Sequence, residues 1–391
     1  MIQVSMDACC GCAACANSCP KACIEMRANH EGFLHPKVDT SRCVECGLCE
    51  KACPVLQSKL ENTTTPVSYI AYNADREERD NSSSGGIFVL LAKKILEQGG
   101  VVFGAALTDD CYAVQHIAIE NVADLPKIMR SKYLQSEIGD TYRKVKQYLV
   151  AGRTVLFVGT PCQVEALRCF LKDMYDNLLC VDFVCHGVPS QKLWERYVRY
   201  REQKDGNVKA KQISFRDKTN GWRDYSMRFE YTDGTKYCRA FEDDLYGQAF
   251  VRNVSLRRSC YQCQFRKTNR QSDLTIADAW GAENFFPEMF DNQGLSRIFV
   301  HTQKGAEILL NLKGLVCKEE NGNGGGAALC SAPQKHPQRD EFYRHYMDVD
   351  FDCLVARYAK PSMRKRMVYV LRKLGVLHTV KGVLAQLRRT R

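Results

Sequence analysis

Cys9-Cys10-Gly11-Cys12-Ala13-Ala14-Cys15-Ala16-Asn17-Ser18-Cys19-Pro20 recurs in its spacing as Cys43-Val44-Glu45-Cys46-Gly47-Leu48-Cys49-Glu50-Lys51-Ala52-Cys53-Pro54, each paired cysteine displaced by 34 positions. The repeated C-x2-C-x2-C-x3-C-P pattern is an internal duplication. In such a run three thiolates on a tight turn hold one four-iron cubane, and the fourth, past a three-residue gap, reaches the neighbouring cluster. The expected ligand sets are Cys9, Cys12, Cys15 and Cys53 for one [4Fe-4S] cluster, and Cys19, Cys43, Cys46 and Cys49 for its twin. Zinc is the competing occupant of C-x2-C pairs, but four cysteines crowded into so short a run, twice and each time followed by Pro, fit it poorly. Cys10 and Cys23 have no cysteine counterpart in the second repeat, where Val44 and Gln57 stand. They are read as packed thiols, not ligands.

Working outward, the duplicated stretch resembles bacterial two-cluster ferredoxins along its whole length, which implies an α+β ferredoxin-like domain over residues 1–62. The chain has 391 residues and 21 cysteines, too many for a disulfide framework in a reducing compartment, so metal is the better explanation for the clustered ones. No apolar run approaches a membrane span and no signal-peptide layout opens the sequence, so a cytoplasmic location is expected. The net charge of +11 divides unevenly. Eleven Lys and Arg and no acid lie between Arg357 and Arg391, leaving the remainder balanced against 45 acidic residues. In that tail Met367, Val370, Leu374, Leu377, Val380, Leu384 and Leu387 recur at helical steps, broken by Gly375 and Gly382. The expectation for residues 340–391 is a basic amphipathic helical tail for an anionic membrane surface or a partner. Nucleic acid is not expected, because no stacking aromatics accompany the charge.

Thr63-Thr64-Thr65-Pro66 reads as a linker. Beyond it strands and helices alternate: Val67 to Asn73 as a strand, Ile87, Leu91 and Ile95 on one helix face closed by Gly99-Gly100, and Val101 to Leu107 as the returning strand. This βαβ pattern implies an α/β domain with a mainly parallel sheet. Ser82-Ser83-Ser84-Gly85-Gly86 opens its helix, and free N–H groups there would suit a cofactor pyrophosphate, although Ser and Gly also make ordinary caps. A second unit runs from Thr154 to Val158, Val164 to Leu171 and Leu178 to Val184. Cys162 follows its first strand and Cys185 its second, so a right-handed crossover brings both to one carboxyl edge. Cys260-Tyr261-Gln262-Cys263 adds a C-x2-C pair before a strand-like Leu274-Thr275-Ile276-Ala277. Taken together, Cys162, Cys185, Cys260 and Cys263 make a third four-thiolate set for a further cubane. The alternative is a two-cysteine zinc or redox site beside two separate buried thiols.

Six segments arrive in one order: Ser82 to Gly86, Arg130-Ser131-Lys132-Tyr133, Gly159-Thr160-Pro161-Cys162-Gln163, Val184-Cys185-His186-Gly187-Val188-Pro189-Ser190, Ser259-Cys260-Tyr261-Gln262-Cys263 and Ala277-Asp278-Ala279-Trp280-Gly281. From about Pro66 to about Leu310 they resemble the coenzyme F(420) hydrogenase/dehydrogenase beta-subunit family. Its N-terminal part would cover 66–150 and its C-terminal part, with the third cluster, 151–330. The resemblance implies an FAD-dependent oxidoreductase whose four cluster cysteines map onto Cys162, Cys185, Cys260 and Cys263. It makes Ser83, Ser84, Gly85, Gly86, Lys132 and Tyr133 the expected FAD contacts, and Lys132 the catalytic candidate, stabilising charge on the reduced flavin. The fused ferredoxin repeat and the Cys-His-Gly-Val-Pro segment look like the bacterial branch, whose members often accompany surface-polysaccharide biosynthesis.

The expected activity is electron transfer from a ferredoxin-like donor, through the clusters to FAD, and on to a small organic substrate or a deazaflavin such as coenzyme F(420). The alternatives are a non-catalytic electron-transfer subunit of a larger redox complex and a structural metal protein. No role is expected for His301, His336 and His345, and His116 and His186 are held back as acid–base groups. Cys111, Cys169, Cys180, Cys238, Cys317, Cys330 and Cys353 lack metal spacing and are read as inert. Asn321 to Gly326 is read as a loop, and Trp280 as a core residue in preference to a ring beside the flavin.

Overall fold

A computed structural model of the chain describes residues 1–57, 66–320 and 329–359. The threonine linker, the Asn321 to Gly326 run and the basic helix from Met367 to Leu387 lie outside the described residues.

The duplicated segment folds as a small unit. A hairpin of β1 (Ile24–Ala28) and β2 (Leu34–Val38) pairs antiparallel, and each cysteine loop leads into a short helix, Ala14–Ser18 or Leu48–Lys51. The two loops share one backbone conformation. Left-handed residues fall at Gly11 and Ala13 in the first and at Glu45 and Gly47 in the second, at matching offsets. Ala13 and Glu45 adopt this conformation without being glycine, at a cost of about 1 kcal/mol or more each. The duplication in the sequence is thus repeated in the backbone conformation of the two loops.

The remaining strands are β3 (Val67–Asn73), β4 (Val101–Leu107), β5 (Val114–Ile119), β6 (Val155–Val158), β7 (Leu178–Phe183), β8 (Ala210–Asp217), β9 (Ser226–Tyr231), β10 (Lys236–Ala240), β11 (Leu274–Asp278), β12 (Ser296–Val300) and β13 (Leu315–Glu319). Eight of them form one sheet in the order β13-β3-β12-β11-β7-β6-β4-β5. Its centre, β11-β7-β6-β4, is parallel. The βαβ expectation for β3 and β4 holds for direction but not for adjacency, because β12, β11, β7 and β6 stand between them and β3 pairs antiparallel with β12 and β13. Periodicity reports which face a strand buries; it is silent on which strand lies beside it.

Parallel strands must be covered on both faces, and the two faces of this sheet separate by alternation. Val102, Leu156 and Leu179 sit in register and pack under the helix Ile87–Glu97 with Leu91 and Ile95. Val101, Phe103, Val155, Phe157 and Leu178 face the helices Thr141–Val150 and Pro161–Leu171 through Tyr142, Val145, Val164 and Leu167. A second, antiparallel sheet, β10-β9-β8, shares a core with the helices Gln191–Lys204, Leu245–Val251, Arg339–His345 and Phe351–Tyr358 around Trp194, Phe215, Phe229 and Tyr246. The first residues assigned to a tail, up to Ala359, therefore belong to this core.

The cysteine-rich unit is clamped to the body. Glu31, at the hairpin turn, makes a bidentate pair with Arg339 at 2.5 and 2.6 Å, both side chains almost fully buried. Burial pushes the Glu31 carboxyl up, but Arg339 and Arg258 outweigh it and hold it below the usual glutamate range. Arg143 donates to the carbonyls of Asn17, Ala16 and Cys19. Arg257 donates to the carbonyls of Cys9 and Leu34. Each guanidinium satisfies several loop carbonyls that would otherwise be buried without donors.

Among the described residues no helix is long and apolar enough to cross a membrane. None of the 21 cysteines is in a disulfide.

Candidate redox centre

The two N-terminal sites differ in depth. Cys9, Cys12, Cys15 and Cys53 are buried, whereas Cys43 is half-buried and Cys46 exposed. Burial, with Cys9 and Cys53 nearby, pushes the Cys15 thiol up to about 12, and burial beside Cys9 and Cys49 raises Cys53. Cys53 thus lies beside Cys15 of the first loop. In the outer site Cys19 contacts Cys23 at 3.3 Å, and that contact, followed by burial, pushes Cys23 up to about 11. Crowded, desolvated thiols resist ionising alone; a metal that binds thiolate removes that penalty.

The four cysteines of the expected third set come from separate parts of the chain and line one space. Thr160 caps the helix Pro161–Leu171 with a reciprocal box to Gln163, which fixes Cys162 in the first turn, just beyond β6. Cys185 follows β7, and Cys260 and Cys263 flank the turn Arg258–Gln262. All four line a cavity of about 200 Å³ together with Cys10, Arg257 and Arg266. Burial pushes Cys185 up to about 12, with Cys162 and Cys263 contributing. Cys260 is raised by burial and then by Cys185, Cys263 and Cys162. The thiols stand round a space and do not close on a point: among the described residues no three His, Cys, Asp or Glu side chains converge on a single-ion position. Four soft donors around a cavity fit a cubane, in which each thiolate binds a different iron.

Against this cavity lies a larger one of about 690 Å³, a size typical of cofactor sites. Cys185, Thr160, Gln163, Gly187, Val188, Ser136 and Arg266 line both. Ser83, Ser84, Gly86, Lys132 and Tyr133 all reach the larger cavity. The roles within this group differ from the expectation. Ser83 Oγ accepts from the Ser131 N–H at 2.7 Å and Ser84 Oγ donates to the Leu295 carbonyl at 2.9 Å, so both hydroxyls hold the turn itself. The turn is closely packed: a Cβ on Gly85 would stand 2.6 Å from the Ala71 carbonyl oxygen, and Gly86 has φ +82. The helix that starts at Ile87 has no side-chain cap, so its first N–H groups remain for a phosphate.

Lys132 is a cavity residue whose ammonium donates to the Met129 carbonyl at 2.6 Å. Burial, then Arg130, pushes it down to about 7. Tyr133 lies against Phe250 and Phe241, with ring centroids 4.8 and 5.1 Å away. His116, held between Ser136 Oγ and the Val158 carbonyl, is pushed down to about 4 by burial and stays neutral. His186 bonds Asn253 at 2.6 Å and lines the same cavity.

Two further residues line the cavity, Arg216 and Trp280. Arg216 donates from Nη1 to Asp278 at 2.6 Å, while its buried Nε and Nη2 have no partner. It lies on β8, in the other sheet, where no motif marked it. Trp280 corrects the core expectation: it is 47% exposed, stacks on Trp222 at 4.2 Å and lines the cavity. Its position past the carboxyl end of β11, at the ligand edge of the sheet, was the available signal. These walls combine a helix start without a side-chain cap, aromatic rings and cationic side chains, a lining that fits a planar aromatic cofactor with a charged tail.

Comparison with known proteins agrees with this division. Residues 8–56 match the family model described as 4Fe-4S dicluster domain, and residues 152–319 match the model for the C terminus of the beta subunit of coenzyme F420 hydrogenase/dehydrogenase. The matches thus place a stretch similar to 4Fe-4S dicluster domains ahead of one similar to the C terminus of coenzyme F420 hydrogenase/dehydrogenase beta subunits.

Coenzyme F420-dependent sulfite reductase of Methanocaldococcus jannaschii is 26% identical over 167 residues, 42% of this chain and 25% of that protein. NADH-quinone oxidoreductase subunit I of Pelobacter propionicus is 43% identical over 54 residues, 12% of this chain and 29% of that protein. The chain spans about a quarter of the length of these curated relatives. A solved chain of the F420-reducing [NiFe] hydrogenase complex of Methanosarcina barkeri, from a xenon-derivatised crystal, aligns at 16% identity over 76% of this chain and 95% of its own, with a TM-score of 0.45.

Proposed function

We propose that the protein is an iron–sulfur flavoprotein oxidoreductase that passes electrons from a ferredoxin-type carrier through three [4Fe-4S] clusters to FAD, and from there to a small organic substrate or a deazaflavin such as coenzyme F420. The observation that carries this reading is the shared wall: the cavity ringed by Cys162, Cys185, Cys260 and Cys263 opens on the same residues as the larger one. A cluster held by those thiols would stand next to a flavin bound beyond them.

A flavin when bound would exchange electron pairs with a substrate and single electrons with clusters. The chain's own residues supply the rest. The Ser-Gly turn and the helix start at Ile87 would hold the phosphates, and the Trp280–Trp222 stack would offer a face to the ring. Lys132 and Arg216 would supply positive charge to a reduced, anionic flavin, and the apolar wall of Ile128, Met129 and Phe250 would help to exclude water. The exposed Cys46 side of the outer site is where a carrier would deliver electrons. A cytoplasmic location with peripheral membrane contact through the basic tail, and a role in surface-polysaccharide biosynthesis in a bacterial branch of the family, belong to the same reading.

Anaerobic purification tests it. About twelve iron per chain and one FAD are expected; a colourless zinc protein would refute the redox reading. Dithionite-reduced protein should bleach an added deazaflavin without any partner. A fully loaded protein that reduces neither deazaflavin nor a sugar-nucleotide precursor, yet passes electrons to a partner enzyme, would favour a non-catalytic electron-transfer subunit instead.

A further inference from the structure

We infer that Cys10 is the electron-transfer contact between the inner N-terminal site and the third site, a thiol that binds no iron and closes the gap between the two ligand shells. The inference rests on the three-cluster reading above and adds the route between two of its centres.

Three observations converge on this residue. Cys10 stands between the ligand positions Cys9 and Cys12, yet its buried side chain packs in one cluster with both Cys12 and Cys162, and it lines the third cavity with Cys162, Cys185, Cys260 and Cys263.

The backbone there is also fixed from the body of the protein. Gln135 Nε2 donates to the Cys10 carbonyl at 2.9 Å, Arg257 Nε donates to the Cys9 carbonyl at 2.7 Å, and Arg257 Nη1 donates to Gln135 Oε1 at 2.9 Å. A Cβ at Gly11 would come within 2.7 Å of both Arg257 Nη1 and Gln135 Nε2, so this loop is pressed against the third site.

The duplication supplies an internal control. The twin of Cys10 is Val44, in a loop with the same left-handed residues, and Val44 is 57% exposed. One loop position thus faces a second thiol set in the inner copy and solvent in the outer copy, and a sulfur occupies it only where a second site follows. A polarisable sulfur in contact with a ligand of each site gives an electron a shorter through-space step than two separated thiolate shells would. One electron leaves the inner site and one arrives at the third, and no bond forms or breaks at Cys10.

The test uses full-length protein purified and loaded anaerobically. Wild-type iron is measured first, and a count near eight per chain would sink the three-cluster reading and the inference with it. With about twelve present, Cys10→Val, which installs the twin's residue, and Cys10→Ser are compared with Cys238→Ser, an exposed thiol remote from the sites. Iron is expected to be unchanged in all three. In dithionite-reduced samples the magnetic coupling between the inner and third clusters, read by electron paramagnetic resonance, should weaken in both Cys10 variants, more in Val than in Ser. Freeze-quenched arrival of electrons at the third site should slow about tenfold in Cys10→Val, the lower end of the loss usual when a group touching a metal ligand is removed. Loss of about four iron from Cys10→Ser would make Cys10 a ligand and overturn the inference, as would unchanged coupling and rate at full iron content. If neither variant folds, the wild type decides: coupling between the inner and third clusters supports the contact, and its absence refutes it.

Discussion

The N-terminal sites and the third site use the same donor, four cysteine thiols, yet are built by opposite means. The first two lie within one run from Cys9 to Cys53 and owe their shape to a local backbone device, the left-handed pairs Gly11 and Ala13, Glu45 and Gly47. The proposed third site would gather Cys162, Cys185, Cys260 and Cys263 from the ends of two parallel strands and a distant turn, which share a cavity because β6, β7 and β11 lie side by side. A locally written site should survive damage to the body; a tertiary one should not.

The largest expected effect is the loss of one whole site. Cys260→Ser should remove about four iron per chain, while the paired N-terminal clusters keep their spectra. An unaltered iron count would break the comparison, since the third thiol set would then hold no cluster.

Next comes the clamp between the two regions. Arg339→Ala leaves the Glu31 carboxylate buried without its main partner, at a cost of about 3–5 kcal/mol. The midpoint of anaerobic thermal unfolding should fall, and coupling to the third site should weaken before the N-terminal clusters are lost. Simultaneous loss of all clusters would show that the duplicated segment depends on the body for its own fold.

A smaller effect is expected at Lys132. Held near 7 by burial and Arg130, it is protonated below that pH and neutral above it. Affinity for the anionic FAD, measured by fluorescence titration of flavin-depleted protein, should therefore weaken as pH rises from about 7. Lys132→Met should flatten this dependence and weaken binding at pH 6 by about tenfold, or 1.4 kcal/mol. An unchanged profile would remove Lys132 from the cofactor site. The smallest effect belongs to Trp280→Ala. Losing the stack on Trp222 should cost about 0.5–1.5 kcal/mol of flavin affinity or stability, with iron content untouched.

Much of this was legible in the sequence because spacing along a chain is itself geometry over short distances. C-x2-C-x2-C-x3-C-P fixes which thiols share a turn, a strand followed by Cys162 or Cys185 fixes a carboxyl edge, and apolar alternation in Val101 to Leu107 and Val155 to Val158 fixes a sheet covered on both faces. The order of strands was not legible, because β3 and β4 carry the same pattern whether adjacent or separated by four others. Nor were the clamps, Glu31 with Arg339 and Arg257 with the Cys9 carbonyl, since charged residues on a surface and in a buried joint read alike.

The sequence by itself determined the donor chemistry and the duplicated loops, for those depend on residues a few positions apart. Only the tertiary structure decided that one loop is buried and the other faces solvent. It also decided that Cys10 stands against Cys162 while its twin Val44 meets water, and that Lys132, Arg216 and Trp280 line one cavity. Those facts depend on which surfaces meet when the duplicated segment docks on the sheet, and the free energy of that docking is spread over contacts hundreds of residues apart in the chain.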